Sequence, residues 1–211
     1  MKMRLAEIAK ALQVEPKEEW EEIVVTSVSF DTRSLEQGAL FIPLVAEHDG
    51  HDYIENAIKK GAVATLWQED HDENTALIPK LVVSNSLQAM QKLAHYYLQK
   101  INHKVVAITG SNGKTTTKDM VAAILGRRIN VQKTHDNFNN FIGVPMTVLS
   151  MEPNTEVLVI EMGMDHFGEL DELIHLVEPD IAVITMIGEA HIEFFGTRDK
   201  IADAKMDITH G

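Results

Sequence analysis

A chain of 211 residues, 45% hydrophobic and 24% charged, can bury a core of its own and has the make-up of an ordinary folded protein rather than a disordered or fibrous one. Its net charge of −13 disfavours a surface that recruits nucleic acid or anionic lipid, and the lack of cysteine removes disulfides, thiolate metal sites and thiol nucleophiles together. No apolar run is long enough to cross a bilayer, and MKMRLAEIAKALQV interleaves charges with apolar residues where a secretory signal needs an unbroken apolar block, so a cytoplasmic protein is expected. Anionic small molecules stay open as ligands, because a deep site can hold phosphates with a few local groups whatever the global charge.

The length allows two domains. Leu5, Ile8, Ala9 and Leu12 share one face of a short helix, LAEIAKAL, and the acidic run EPKEEWEE that follows reads as solvated surface. IVVTSVSF and ALFIPL read as strands around the turn-rich DTRSLEQG, and a helix over Ile54 to Lys60 is ended by Gly61. AVATLW and KLVV are further strands, so residues 1–84 form a small α/β domain. A helix over Leu87 to Leu98 leads into a second domain, 85–211, whose first strand is VVAIT. From there the chain alternates: a helix from Lys114, a short strand near Ile129, strand VLVIE, a helix from Glu169 and strand IAVIT. That alternation predicts an α/β fold with a parallel sheet and crossover helices, the layout of a nucleotide-binding domain.

The strongest local signal is AITGSNGKTTT. A strand ends in Gly110, the chain turns through Ser111, Asn112 and Gly113, and a helix begins at Lys114. Glycines let backbone N–H groups close around phosphate oxygens, Lys114 adds a cation at the β- and γ-phosphates, and the Thr115 hydroxyl can reach Mg²⁺. With Thr116 these residues form the candidate ATP-binding set. The spacing departs from the common phosphate loop, since the first glycine stands four residues before the lysine and Ile108 occupies the usual glycine position. The alternative, a strand-to-helix turn of no functional meaning, is disfavoured by the flanking elements and the Lys-Thr pair. Glu161 closes VLVIE, so a parallel sheet brings it to the carboxyl edge beside this loop, where an oxygen donor suits Mg²⁺; a capping or surface glutamate is the alternative.

TGSNGKTTT resembles the ATP loop of the Mur ligases, which is shared with folylpolyglutamate and cyanophycin synthetases. THDNFNNFIGVPMTVL, VIEMGMDHFGEL and IAVITMIGEAHIEFFGTRDKIADAK are together similar to the Mur ligases that join D-alanyl-D-alanine to UDP-N-acetylmuramoyl-tripeptide. The likeness runs from about residue 26 to the end of the chain. It implies a small UDP-substrate domain followed by a P-loop ATP-binding domain, with ATP and Mg²⁺ as cofactors.

The resemblance implies further roles, residue by residue. Glu161 takes a Mg²⁺, and His191, which alone would read as a hydrogen-bonded structural residue, binds a second. Lys205 in KIADAK, otherwise a solvated helix lysine, matches a lysine carbamylated by CO₂, which exchanges a cation for an anionic oxygen donor. Lys114, Glu161, His191 and Lys205 are thus the expected catalytic and metal-binding groups, with Thr115 as a further metal ligand. Asp165 and His166 are set aside, since the family carries Asn-His or similar there and helix capping at Gly168 explains their polarity.

SFDTRSLEQGALFIPL resembles the family's uridine-diphosphate segment: Ser29, Thr32 and Ser34 offer hydroxyls and Arg33 a phosphate-pairing fork. HDGHDYIENAIKKGA matches a neighbouring segment in which Gly50, His51 and Asp52 shape the same pocket. Thr134, Asn137, Asn139 and Asn140 are implied contacts to the muramoyl part, although for at least one asparagine a turn before the helix near Gly143 is the expected role.

The implied reaction forms an acyl phosphate on the substrate's terminal carboxylate, which the dipeptide amine then displaces. Another Mur-type amide ligase, or a non-catalytic nucleotide- or UDP-substrate-binding module, remains the alternative. The sequence stops at DITHG, before the sheet strands and C-terminal domain of the family, so a truncated ATP-binding domain is expected, one that turns over nothing for want of a lid. The third residue of the peptide substrate, lysine or diaminopimelate, is left open.

Overall fold

A computed structural model describes residues 1–71, 77–101 and 103–211. The chain divides into two compact units, Met1–Tyr97 and Leu98–Gly211.

In the first unit, α1 (Leu5–Leu12) buries Leu5, Ile8, Ala9 and Leu12, as the spacing predicts, and ends at Gln13 in the left-handed region. The short strand β1 (Met3–Arg4) pairs antiparallel with β2 (Val24–Val25). A parallel sheet follows, formed in order by β3 (Ser27–Ser29), β4 (Ala39–Phe41), β5 (Ala64–Gln68) and β6 (Lys80–Val83). IVVTSVSF is therefore two strands in two sheets rather than one. The break falls at Thr26, whose N–H donates to the Gly38 carbonyl and so turns the chain from one sheet to the other. ALFIPL is a strand only over Ala39–Phe41, and Pro43 beyond it has no N–H for a ladder.

The helix α2 (Ile54–Lys59) is entered through a 3₁₀ turn at Gly50–Tyr53 and buries Ile54 and Ala57 against Phe41 and Trp67. Gly61 follows at φ +100°, a conformation that favours glycine. The long helix α3 (Ser86–Lys100) buries Ala89, Met90, Leu93, Ala94 and Tyr97. These share one helical face, so most of α3 belongs to the first unit, which closes at Tyr97 rather than at the expected boundary of 84/85.

The second unit runs β7 (Lys104–Thr109), α4 (Lys114–Leu125), β8 (Val131–Lys133), α5 (Gly143–Leu149), β9 (Val157–Glu161), α6 (Glu169–Val177), β10 (Ile181–Ile184), α7 (Ile192–Phe195) and α8 (Arg198–Met206). Its strands form one parallel sheet in the order β10-β7-β9-β8. The short strand expected near Ile129 is Val131–Lys133, and Ile129 itself packs with α4 against Val106, Ile108, Val157 and Val159. Val121, Ala122 and Leu125 of α4 cover Val106, Ile108, Val157 and Val159. Ile108, Leu158, Val159 and Ile160 expose no surface, and burial of such side chains contributes roughly 1.5–3 kcal/mol each. The register pairs Ile108 with Glu161 and Thr109 with Ile184, so three strands end at one rigid edge. Among the described residues no helix is long and apolar enough to cross a membrane.

Candidate active site

The loop after β7 is held open by backbone geometry and by a second segment. Gly110 lies at φ +149° and Gly113 at φ +82°, and a Cβ on Gly110 would come within 2.0 Å of Thr185 Oγ1. That hydroxyl, at the end of β10, donates toward the Asn112 carbonyl at 2.6 Å and the Thr109 carbonyl at 3.2 Å. The Ser111 N–H donates to the Met186 carbonyl at 2.8 Å, and Ser111 Oγ accepts from the Gly188 N–H at 2.9 Å. The Ser111 oxygen thus anchors Gly188 while its O–H stays able to donate, and the loop also offers a ligand its backbone. No side chain caps α4, which leaves its first-turn N–H groups at Lys114, Thr115 and Thr116 for an outside acceptor. Lys114 Nζ folds back onto the Gly110 carbonyl at 2.8 Å, the kind of contact a phosphate oxygen replaces.

Glu161 ends β9 at this edge and is 3% exposed. Its Oε2 accepts from Thr115 Oγ1 at 2.8 Å and its Oε1 from Asn139 Nδ2 at 3.0 Å. Thr115, Asn139 and Glu161, named separately from sequence, are therefore one cluster. Thr134 enters differently: it is fully buried, and its hydroxyl accepts from the Glu161 N–H at 2.9 Å, so it fixes the strand end instead of facing a sugar. Asn140 is the asparagine with the turn role, its Oδ1 accepting from the Ile142 and Gly143 N–H groups at the start of α5. Asn137 is exposed.

A cavity of about 120 Å³ joins these elements, lined by Gly110, Lys114, Asn139, Asp165, His191 and Lys205 among others. Lys205 on α8 is 4% exposed. Burial, and then the charge of Lys114, bring its pKa down from 10.5 to about 8. The solvated-lysine alternative does not hold. His191 lies at φ +63°, and its Nδ1 is 3.3 Å from Asp165 Oδ1. Asp165, set aside on sequence grounds, lines the cavity; His166, by contrast, is exposed and packs on the Phe194 ring at 4.8 Å. Glu169 ties down this loop, its Oε2 accepting from the Asp165 and His166 N–H groups. Sequence reasoning set Asp165 aside and missed Thr185; the signal for Thr185 was that it closes IAVIT as Glu161 closes VLVIE.

In the first unit, the residues of SFDTRS gather around Asp31. Arg33 pairs with its carboxylate through Nε and Nη2 at 2.7–3.0 Å, and Ser29 and Ser34 donate to its carbonyl. Arg33 is exposed, and its hydrogen bonds hold the Asp31 carboxyl below the usual carboxylate range. A phosphate would take the fork from Asp31. Thr32 is half-buried beside them.

His51 is buried rather than facing outward. Its Nδ1 meets Asp49 Oδ1 at 2.7 Å, and its Nε2 accepts from the Gln68 N–H at 3.3 Å. His71 reaches the other Asp49 oxygen at 2.7 Å and Asp70 at 2.6 Å. Asp49, His51 and His71 offer ligand atoms within 4.8 Å of one another. The two rings stack at 3.7 Å and 20°, however, so their in-plane lone pairs run side by side rather than converge on one ion. The Gln68 N–H on Nε2 also leaves the proton on Nδ1. The trio is a hydrogen-bonded knot that sets the loop carrying Gly50 and Asp52. Gly50 itself approaches Leu44 so closely that a Cβ would lie 2.6 Å from the Leu44 nitrogen, and Asp52 is exposed.

Residues 24–108 match the Mur ligase family, catalytic domain, and residues 108–211 the Mur ligase middle domain. The UDP-N-acetylmuramoyl-tripeptide--D-alanyl-D-alanine ligase of Bacillus subtilis (strain 168) is 48% identical over 211 residues, a match covering 98% of this chain and 45% of that protein. Among solved structures, MurF from Acinetobacter baumannii superimposes with a TM-score of 0.88 at 32% identity, covering 100% of this chain and 46% of that one. The MurF ligase from Thermotoga maritima in complex with ADP gives a TM-score of 0.77 at 33% identity, with 87% and 43% covered. The chain spans a little under half the length of the relatives it matches.

Proposed function

The chain belongs to the Mur ligase family, and from that premise we propose that it carries the UDP-substrate and ATP-handling part of a ligase joining D-alanyl-D-alanine to UDP-N-acetylmuramoyl-tripeptide in peptidoglycan precursor synthesis. The observation that carries the reading is the cavity at the carboxyl edge of the second sheet, where Lys114 of the phosphate loop, His191 and Lys205 meet beside the Thr115–Glu161 pair. The names of the relatives, one of them solved with ADP, support the same nucleotide and substrates. ATP as co-substrate fits a cytoplasmic reaction.

In this proposal the loop amides and the α4 N-terminus grip the ATP phosphates, and Lys114 leaves the Gly110 carbonyl to meet them. The substrate carboxylate attacks the γ-phosphorus, ADP leaves, and the dipeptide amine displaces phosphate from the acyl phosphate. No enzyme nucleophile is needed, so holding the reactants in line and offsetting charge supply the acceleration.

The donors fit a hard divalent cation: the Thr115 hydroxyl and Glu161 carboxylate would hold one Mg²⁺, and His191 with carbamylated Lys205 a second. A cation held by these residues would supply charge that offsets the phosphate oxygens. For the carbamate, the neutral Lys205 amine attacks CO₂ and loses a proton to water, and the Lys114 cation favours the anion formed. The Arg33 fork, with the exposed Ser34 and half-buried Thr32 hydroxyls, serves the uridine diphosphate, and Asn139 and Asn137 the muramoyl part.

Calorimetric titration with Mg-ATP tests the reading, together with ADP formation in the presence of bicarbonate, UDP-N-acetylmuramoyl-tripeptide and D-alanyl-D-alanine, each omitted in turn. Mg-ATP binding that Lys114→Ala weakens tenfold or more is expected. A folded chain that binds Mg-ATP no better than Lys114→Ala, or that forms ADP regardless of the UDP substrate, sinks the proposal.

A further inference from the structure

We propose that Asp165 is the positioning residue for His191: its carboxylate, 3.3 Å from Nδ1, draws the ring proton to that nitrogen and so leaves the ring's lone pair on Nε2, the nitrogen free to accept a cation. The inference deepens the ligase reading and rests on it for the cation.

Three independent features bring the two side chains together. Asp165 Oδ1 lies 3.3 Å from His191 Nδ1, and both residues line the cavity that holds Lys114 and Lys205. The loop carrying Asp165 is fixed at both ends: Glu169 Oε2 accepts from the Asp165 N–H at 2.6 Å and the His166 N–H at 3.0 Å, and the Gly163 N–H donates to the Asn139 carbonyl at 2.8 Å. Two ring contacts then staple that loop to α7. His166 packs on Phe194 at 4.8 Å, and Phe167 meets Phe195 edge-on at 4.8 Å.

His191 itself sits at φ +63°, where a residue with a side chain is held only when its surroundings over-determine it. Its carbonyl takes the Phe194 and Phe195 N–H groups at 3.0 and 3.3 Å, so the strained residue is locked to the same aromatic pair. Both side chains are partly exposed, so the charge pair alone would contribute little, and it is the left-handed backbone and the aromatic staple that hold the two together. An imidazole that accepts a metal ion at one nitrogen is regularly oriented by an acceptor on the other, and loss of that acceptor weakens metal binding about 10–100-fold. An asparagine carbonyl can take the same Nδ1–H, whereas alanine cannot.

The test is a long-range proton–nitrogen correlation spectrum of the 211-residue chain labelled with ¹⁵N-histidine, recorded at a pH where imidazole is neutral, with His191 assigned by His191→Gln. Wild type is expected to show the Nδ1–H tautomer at His191, Asp165→Asn to keep it, and Asp165→Ala to move to the Nε2–H form that free imidazole prefers. Mn²⁺ binding in the presence of ATP, read by electron paramagnetic resonance, should weaken about tenfold or more in Asp165→Ala and recover in Asp165→Asn. A wild-type Nε2–H tautomer, or a spectrum and Mn²⁺ affinity indifferent to Asp165→Ala, overturns the proposal. A wild-type chain that binds no Mn²⁺ with ATP while showing the expected tautomers refutes the ligase reading instead and leaves the orientation of the imidazole by Asp165 standing.

Discussion

Thr115 Oγ1 donates to Glu161 Oε2 across 2.8 Å, joining the first turn of α4 to the last residue of β9. The pair links the phosphate loop to a carboxylate that Asn139 holds from its other side. Glu161→Gln keeps the side-chain shape and one acceptor oxygen but removes the charge. Mg²⁺-dependent strengthening of ATP binding should therefore fall by at least about tenfold, the loss expected when a hard-cation carboxylate goes. The thermal midpoint should move by only a few degrees, on the order of 1 kcal/mol. Titrations with Mg-ATP and with ATP in EDTA separate the two effects, and an unchanged metal dependence counts against Glu161 as a ligand.

Thr185 is the second lever on the same loop. Its hydroxyl serves the Asn112 and Thr109 carbonyls, and Thr185→Val replaces it by a methyl of similar size. The carbonyls lose a donor in a half-buried setting, so a stability loss of about 1–2 kcal/mol is expected, with weaker Mg-ATP binding as the loop loosens. Thr185→Ser should restore both. Chemical unfolding and nucleotide titration of the three proteins decide it.

Much of this was legible in the sequence because periodicity and strand ends are local properties. The spacing of Leu5, Ile8, Ala9 and Leu12 gave α1 to the residue, and VLVIE and VVAIT put Glu161 and Gly110 at one sheet edge. What local patterns do not carry is which partner a polar side chain takes. Thr134 and Ser111 resemble ligand contacts in sequence, yet their hydroxyls serve the Glu161 and Gly188 N–H groups. His51 turned inward because Asp49, two residues earlier, and the distant His71 and Gln68 converge on it. Asp165 was set aside because helix capping explained its polarity, while the His191 it meets lies in another segment of the sheet edge. The α3 boundary failed for a related reason: a helix's own sequence shows its apolar face but not the unit that face will cover.

Lys205 offers a test of a buried charge. Its pKa of about 8 lies below the ordinary 10.5 because burial disfavours the cation and Lys114 repels it. A lysine depressed in this way contributes its full stability above its unfolded pKa, and that contribution declines below it and is lost as pH falls through about 8, so at pH 7 the cation is a net cost. Lys205→Met should accordingly raise the thermal midpoint at pH 7, by the equivalent of about 1–3 kcal/mol, while abolishing any carbamate signal. In wild type with ¹³C-bicarbonate, that carbamate resonance should grow as pH rises toward and past about 8. A destabilised Lys205→Met protein, or no carbamate in wild type at any pH, contradicts this account.

The Asp49–His51–His71 knot predicts how the first unit responds to pH. Burial works to raise the Asp49 pKa, but hydrogen bonds from the His51 backbone and from the His71 and His51 rings outweigh it and bring the carboxyl down to about 2. Its contribution is present above the ordinary carboxylate value and is lost as pH falls through about 2. The Asp49 hydrogen bond raises the His71 pKa above 6.5, so that contribution is full below 6.5 and disappears as pH rises through the folded value. Burial lowers the His51 pKa below 6.5, which gives the opposite sign: stability present above 6.5 and lost as pH falls through its folded value. Both tryptophans, Trp20 and Trp67, lie in the first unit, and Trp67 meets the His51 ring edge-on at 4.8 Å, so fluorescence-detected unfolding reports this unit alone. His71→Asn keeps a donor for Asp49 but no titrating ring. It should therefore remove the decline of the fluorescence midpoint above neutral pH, while the acid-side decline from His51 and Asp49 persists. A His71→Asn protein whose alkaline decline matches wild type places the titrating group elsewhere.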